Sequence, residues 1–269
     1  MGDNRPIGVF DSGVGGLTVA GEIIKALPKE KLIYFGDTAR VPYGSKSTET
    51  VNKFACEIAE FLRGFDVKAI VIACNTVSSN SYNVLSEKFD IPFIEVVSPG
   101  VNACLAATKN KKVGVIGTPA TIASGAYEKK LKAADGEVEV YSKACPLFVP
   151  LVEDCLTEGD ITALTVEMYL KELKELGIDS LILGCTHYPI MKESIGRFMG
   201  EGVNIVNPAS LTARTLKKYL EDKSMTGDLE EDAYPEFYVS DLNREKFGEI
   251  CRLAMGEVYE AKKISLENI

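Results

Sequence analysis

The chain alternates short apolar runs, rich in β-branched residues, with longer segments of helical period. The runs predicted to be strands are PIGVF, KLIYF, VKAIVIA, PFIEVV, KVGVIG, EVEVYS, DSLILG, VNIV and EFYVS. Strands separated by helix-length segments are typical of βαβ units, in which neighbouring strands run parallel. The pattern therefore predicts an α/β fold with mainly parallel sheets.

Some of the segments between these runs carry helix or loop signals. Residues 76–89 follow the strand that ends in ACN, and residues 121–131 resemble a capped helix start. Residues 223–236 are acidic and are broken by glycine and proline, so we expect an exposed loop there.

The two halves of the chain resemble each other. IGVFDSGVGG is similar to VGVIGTPATI, and AIVIACNTVSS is similar to SLILGCTHYPI. Ile7 and Val113, which begin the first pair, each precede a cysteine, Cys74 or Cys185, by about 70 positions. Any α/β protein repeats apolar strands, but the agreement of motif order with spacing favours a duplication.

We therefore expect two pseudo-symmetric, doubly wound α/β domains. The first combines residues 1–98 with the C-terminal segment 208–269, and the second comprises residues 99–207. In open α/β sheets, ligands bind outside the carboxyl ends of the strands. The cleft between the two domains is the expected active site.

The composition and charge of the chain argue against several classes of function. The 269 residues are 46% hydrophobic and carry a net charge of −9, whereas nucleic-acid-binding proteins usually have a basic face. The N-terminus lacks a secretion signal, and no apolar run approaches the roughly 18 residues of a membrane span. Seven cysteines without close pairing are typical of free thiols in a reducing compartment. We expect a cytoplasmic protein that contacts neither nucleic acid nor membrane.

Metal and nucleotide sites find little support in the sequence. His187 is the only histidine, and no cysteine lies in a CxxC pair, so zinc ligands at usable spacing are lacking. The turn DSGVGGL does not have GxGxxG spacing, and GxxxxGK[ST] does not occur. We expect neither a metal nor a nucleotide.

The strongest chemical signal is the pair of cysteines that follow buried strands. A helix N-terminus beside Cys74 or Cys185 would favour thiolate over thiol and lower the thiol pKa from about 8.5. Two cysteines on opposite sides of one cleft suit the inversion of a stereocentre, because one sulfur can remove a proton from one face while the other delivers a proton to the opposite face. The sequence therefore predicts a proton-transfer enzyme.

Further polar residues follow the same strands and could hold a small polar ligand. A glycine turn can approach an anion through its backbone, and long polar loops often carry binding residues. Asp11 could meet a substrate ammonium group, and His187 could orient or protonate the sulfur of Cys185. The candidate binding residues are Asp11, Ser12, Tyr43, Gly44, Asn75, Thr76, Thr186 and His187.

Other interpretations of these residues remain open. A cysteine at a strand end is often only a small buried apolar residue, and a single histidine is often structural. Cys185 and His187 could form a Cys-His hydrolase or acyltransferase, but that chemistry leaves Cys74 unused. A regulatory relative without catalysis is a further alternative.

Four motifs resemble a known family. FDSGVGGL, DTARVPYG, ACNT and GCTHYP occur in the order and register of the bacterial glutamate racemases, within the aspartate/glutamate racemase family, and the match spans Ile7 to about Leu220. The resemblance implies interconversion of L- and D-glutamate without pyridoxal phosphate, metal or nucleotide, supplying D-glutamate for peptidoglycan. It also implies a homodimer. A racemase for aspartate or another small amino acid is the alternative.

The resemblance also assigns roles to residues. Cys74 and Cys185 would be the two acid/base residues, assisted by Asp11, His187 and Glu153. The chain departs from the family at two places: Cys155 stands where glycine is more common, and Asn207-Pro208 stands where Asp-Ser is common.

Overall fold

The computed structural model describes residues 2–266, so the outermost ends of the predicted first domain, residue 1 and residues 267–269, lie outside the described residues. The strands are β1 (Ile7–Asp11), β2 (Leu32–Gly36), β3 (Ala69–Ile72), β4 (Phe93–Glu95), β5 (Lys112–Gly117), β6 (Glu139–Ala144), β7 (Ser180–Gly184), β8 (Asn204–Val206), β9 (Glu236–Val239) and β10 (Ala261–Lys263). The helices are α1 (Leu17–Ala26), α2 (Thr48–Arg63), α3 (Asn75–Lys88), α4 (Val97–Ala107), α5 (Pro119–Ser124), α6 (Ala126–Ala134), α7 (Phe148–Glu153), α8 (Asp160–Glu175), α9 (Lys192–Met199), α10 (Pro208–Asp222) and α11 (Arg244–Met255). Short 3₁₀ helices cover Tyr43–Ser45 and Tyr188–Met191.

The strands form two parallel sheets. The larger has the order β10-β9-β2-β1-β3-β4, and the smaller has the order β6-β5-β7-β8. The nine predicted strands and the parallel α/β class are confirmed. Among residues 2–266, only β10 was missed, because it is three residues long, lies at a sheet edge and contains two lysines.

The two sheets share one connectivity. The order β2-β1-β3-β4 in the larger sheet corresponds to β6-β5-β7-β8 in the smaller one. Ile7 pairs with Ala69 and Val113 pairs with Ser180, which is the correspondence that the repeated sequence motifs predict. Agreement of strand order and register confirms the pseudo-symmetry of the two halves.

Each sheet has helices on both faces, as a doubly wound fold requires. In β1, Ile7 and Val9 pack into one core while Phe10 packs into the core on the opposite face. In β7, Leu181 and Ile182 likewise enter different cores. Burial on both faces explains why these strands are continuously apolar rather than alternating.

The predicted domain boundaries fall at two helices that connect the sheets. Residues 98 and 99 lie in the first turn of α4, and Asn207 is the N-cap of α10, where its side chain accepts from the Ala209 amide at 3.0 Å. The larger sheet takes its strands from both sides of the segment that forms the smaller one. The boundaries themselves stay a prediction.

One helix prediction was wrong in detail. Residues 121–131 are divided between α5 and α6 by Gly125, which adopts the left-handed conformation at φ +64°. The N-cap is Thr118, whose hydroxyl accepts from the Thr121 amide.

No helix within residues 2–266 is long and apolar enough to cross a membrane.

Candidate active site

A cavity of about 340 Å³ lies where the carboxyl ends of the two sheets face each other. Its walls come from the segments that follow β1, β2 and β3 in one sheet and β5, β6 and β7 in the other. We call it the central cavity. It is lined by Ser12, Val41, Pro42, Tyr43, Gly44, Ser45, Cys74, Asn75, Thr76, Thr118, Pro119, Pro146, Val149, Pro150, Glu153, Cys185, Thr186 and His187. Every predicted site residue except Asp11 is in this set.

Cys74 is the N-cap of α3 and is almost completely buried. Its sulfur lies 3.4 Å from the hydroxyl oxygen of Ser12. Burial and the negative charge of Asp11 raise the pKa of the Cys74 thiol to about 12, although Ser12 and the Val77 amide act in the opposite direction. The prediction that the helix terminus lowers this pKa was therefore wrong, because desolvation outweighs the helix contribution.

Cys185 lies beside a histidine and a carboxylate. Its sulfur is 3.8 Å from Nδ1 of His187, and the opposite ring nitrogen, Nε2, is 3.4 Å from Oε1 of Glu153. The second contact is within ion-pair distance, but Nε2 has no hydrogen-bond partner among residues 2–266. Although burial opposes the charged ring, the contacts with Cys185 and Glu153 raise the pKa of His187 to about 10. His187 in turn lowers the pKa of Glu153.

Asp11 lies behind the cavity wall rather than on it. Its side chain is fully buried, accepting from the Gly13 amide at 2.9 Å and from the Thr186 hydroxyl at 3.2 Å. Burial raises the pKa of Asp11, opposed by the nearby His187. In this arrangement Asp11 orients Thr186, and its role in direct substrate contact stays a prediction.

The turn after β1 needs glycine because the other half of the molecule packs against it. A Cβ atom on Gly15 would lie 2.4 Å from Nδ1 of His187 and 2.5 Å from the hydroxyl oxygen of Thr186. The Thr18 hydroxyl lies nearby, donating to the Thr186 carbonyl at 3.0 Å. The missing side chain at Gly15 is what allows the His187 ring to reach Cys185.

Tyr43 is held in the cavity wall by a hydrogen bond to Asp37. Its hydroxyl donates to the carboxylate of Asp37, which also accepts from Nε of Arg40 at 2.6 Å and from the Ser240 hydroxyl at 2.7 Å. Burial and the charge of Asp37 raise the pKa of Tyr43 above its usual range, so the phenol remains a donor. The loop after β2 therefore presents a rigid wall to the cavity.

Sequence reasoning missed a group of threonines and an apolar rim. Thr118 and Thr121 form a hydroxyl cluster with Thr76, with oxygen–oxygen distances of 2.9 to 3.3 Å. The internal repeat carried a signal for Thr118, because the repeat aligns it with Ser12. The rim contains Val41, Pro42, Pro119, Pro146 and Pro150, which no polar motif indicates. Within residues 2–266, no three His, Cys, Asp or Glu side chains are grouped to hold a metal ion.

The fold and the cavity define a class: an α/β protein of two matched halves, with one thiol from each half on a shared cavity. The family model for Asp/Glu/hydantoin racemases matches residues 7–216, and the chain belongs to this family. A glutamate racemase from Geobacter metallireducens is 46% identical over 263 residues, covering 98% of this chain and 97% of the relative.

Solved structures are similar over the same extent. The glutamate racemase of Francisella tularensis, in complex with D-glutamate, has a TM-score of 0.92 and 40% identity, covering 99% of this chain and 100% of that one. The glutamate racemase isoform RacE1 of Bacillus anthracis has a TM-score of 0.92 and 41% identity, covering 98% of both chains. These similarities agree with the family that the four sequence motifs indicate.

Proposed function

We propose that the chain is a glutamate racemase that interconverts L- and D-glutamate by proton transfer between two cysteines. The observation that carries the proposal is that Cys74 and Cys185, at corresponding strand ends of the two sheets, line the same cavity. The relatives are named glutamate racemases, and one of the similar structures holds D-glutamate. In a bacterium this activity would supply D-glutamate for peptidoglycan.

The proposed reaction removes a proton from one face of the substrate α-carbon and adds a proton to the opposite face. One sulfur, as thiolate, takes the α-proton and becomes a thiol; the other, as thiol, gives its proton to the opposite face of the carbanion and becomes a thiolate. The reverse reaction exchanges these roles. Since burial raises the pKa of Cys74 to about 12, the Cys74 sulfur is a thiol in the empty cavity.

The assisting residues act on the second sulfur. His187, with its pKa raised to about 10, is an imidazolium at neutral pH and can donate a hydrogen bond to Cys185 as thiolate. Glu153 supports the charged ring from the other side at 3.4 Å. We assign His187 and Glu153 as positioning residues rather than as the proton donor to substrate.

Hydroxyl and amide groups would bind the substrate carboxylates. The cavity offers such side-chain donors from Ser12, Asn75 and Thr76, whereas the Thr186 hydroxyl already donates to Asp11. The net charge of −9 repels glutamate only at long range, because charges beyond about 8 Å are screened at physiological salt. Donors within hydrogen-bond distance therefore decide binding.

The central test is loss of optical rotation. Purified protein, dialysed against EDTA and free of pyridoxal phosphate, is incubated with L- or D-glutamate and followed by circular dichroism, with aspartate in parallel. We expect the signal of either glutamate enantiomer to decay to zero without any added cofactor. A constant signal from folded protein would contradict the proposal, and activity that requires a metal or pyridoxal phosphate would contradict the cofactor-free mechanism.

The matched variants test the role of the two sulfurs. Cys74→Ala and Cys185→Ala should each lower kcat by about 10²- to 10⁴-fold, because each sulfur serves one face of the substrate. Cys104→Ala is the control, since Cys104 is a buried thiol on α4 outside the cavity. Equal effects of all three substitutions would indicate loss of packing instead of loss of chemistry.

We also propose that the protein is a homodimer of the reducing cytoplasm. All seven cysteines are free thiols, as a reducing compartment favours. Ile161, Leu164 and Met168 lie on one face of α8 and are 64%, 66% and 58% exposed, an apolar stripe suited to a second copy. Light scattering should give a dimer that Leu164→Glu dissociates, whereas Tyr234→Glu, at another exposed apolar residue, should leave it intact. A monomeric native protein would contradict this proposal.

A further inference from the structure

Tyr127 is a buried tyrosine that reaches from the second half of the molecule into the first. It is the second residue of α6, directly after the break at Gly125, and is 3% exposed. The helix belongs to the segment that forms the smaller sheet, whereas the partner of the Tyr127 hydroxyl follows β3 of the larger one. The side chain therefore bridges the two sides of the central cavity.

Two glycines lie beside the ring, and a side chain at Gly184 would crowd it. A Cβ atom on Gly184 would lie 3.2 Å from Cε2 of Tyr127, and one on Gly100 would lie 3.5 Å from Cε1. Gly184 is the residue before Cys185, so the ring packs against the backbone that carries one of the two sulfurs. Among residues 2–266, the hydroxyl of this ring has one hydrogen-bond partner.

That partner is Asn75, the residue after the other sulfur. The Tyr127 hydroxyl lies 2.5 Å from Oδ1 of Asn75, and both side chains are buried. Burial raises the pKa of Tyr127 well above its usual value, so the phenol keeps its proton and acts as the donor. With its carbonyl oxygen occupied, the Asn75 amide is left with Nδ2, which carries two donors.

We propose that Tyr127 is a positioning residue that fixes the Asn75 amide so that its NH₂ group faces the cavity and donates to a substrate carboxylate. The inference rests on the proposed function for the identity of the ligand. A free asparagine amide has two orientations, and one of them would present an oxygen to the carboxylate and repel it. Tyr127 disfavours that orientation, because its buried O–H would then lose its acceptor, and it thereby favours an anionic substrate.

The test removes only the hydroxyl. Tyr127→Phe should raise KM for both glutamate enantiomers about tenfold while kcat changes less than about threefold, because the amide loses its orientation but the sulfurs keep their places. Tyr188→Phe is the control: Tyr188 is equally buried, and its hydroxyl donates to the Cys145 carbonyl at 2.8 Å rather than to a cavity residue. The control should lower the melting temperature and leave KM within about twofold.

A double-mutant cycle separates positioning from general packing. If Tyr127 acts through Asn75, KM of the Tyr127→Phe/Asn75→Ala protein should equal that of Asn75→Ala alone. Full additivity, or a Tyr127→Phe protein with lower melting temperature and unchanged KM, would overturn the inference.

A binding measurement distinguishes this failure from failure of the proposed function. Isothermal titration calorimetry with D-glutamate detects binding whether or not the protein racemises the ligand. If native protein neither binds nor racemises glutamate, the proposed function is contradicted. If native protein and the Tyr127→Phe variant bind glutamate with equal affinity, only the role of Tyr127 is contradicted.

Discussion

His187 shows how burial and charge compete at one side chain. Transfer of an imidazolium from water to a buried site is unfavourable, yet the contacts with Cys185 and Glu153 reverse that effect and raise the pKa of His187 to about 10. The sequence could indicate that the only imidazole lies beside Cys185, but its charge depends also on Glu153, which is 34 positions away in the chain.

The single histidine makes this protonation directly measurable. In untagged protein, the NMR signals of the only imidazole should titrate near pH 10, and Glu153→Gln should move the midpoint downward. The folded pKa of His187 lies above its unfolded value of about 6.5. The protonated histidine therefore stabilises the fold fully below about pH 6.5, and this stabilisation is lost as the pH rises through about 10. A native midpoint near 6.5 would contradict the charged pair.

Cys155 carries local backbone strain. Its φ is +57°, in the left-handed region that disfavours residues with a side chain. Its thiol lies 3.6 Å from a carboxylate oxygen of Glu249 and outside the cavity.

Replacing this residue by glycine should relieve the strain. We expect Cys155→Gly to be more stable than Cys155→Ala by about 1 kcal/mol, because both lose the thiol and only glycine adopts a positive φ without cost. Urea unfolding of the two variants measures the difference. Equal stability would show that the backbone relaxes without strain.

At the level of the elements, the repeated unit is a strand, a turn and a helix that starts at the cavity. β1 leads through the glycine turn into α1, and β3 leads through Cys74 into α3. Continuous apolar runs made these strands predictable, since a strand covered on both faces has few polar positions. The division of α5 from α6 was not predicted, because Gly125 within a helical pattern does not by itself reveal a left-handed conformation.

The glycine turn gives a prediction for the element. Gly15→Ala should lower kcat/KM about 100-fold, because the new methyl group displaces His187 and Thr186. The fold should persist, as measured by far-UV circular dichroism. Gly196→Ala is the control, since a Cβ atom there meets open space on α9, and its activity should be unchanged. Full activity of Gly15→Ala would show that the turn moves freely.

For the whole molecule, the C-terminal segment returns to the larger sheet and is tied to the N-terminus. Lys68 is buried, forms an ion pair with Glu30, and donates to the carbonyls of Asp3 at 2.6 Å and Met225 at 2.8 Å. The predicted loop at residues 223–236 is therefore anchored at its start, although most of it is exposed.

Breaking this cluster should destabilise the molecule without touching the site. Lys68→Met leaves the Glu30 carboxylate buried without its cation and should cost about 3–5 kcal/mol of unfolding free energy. Lys68→Met/Glu30→Gln should recover part of the loss, since no uncompensated charge remains. Chemical denaturation measures the unfolding free energy of the single and double variants. A Lys68→Met protein as stable as the native protein would show that water or backbone groups replace the lysine.

Local sequence patterns were sufficient to predict much of the fold and of the candidate site of this protein. Apolar runs predicted nine strands, the internal repeat predicted two matched halves, and the positions after the strands predicted two sulfurs on one cavity. These features depend on local hydrophobicity and on the general geometry of parallel sheets. The raised pKa of Cys74, the withdrawal of Asp11 behind the wall, and the bond from Tyr127 to Asn75 were decided only in the tertiary structure, because desolvation and hydrogen bonding depend on neighbours that are distant in the chain.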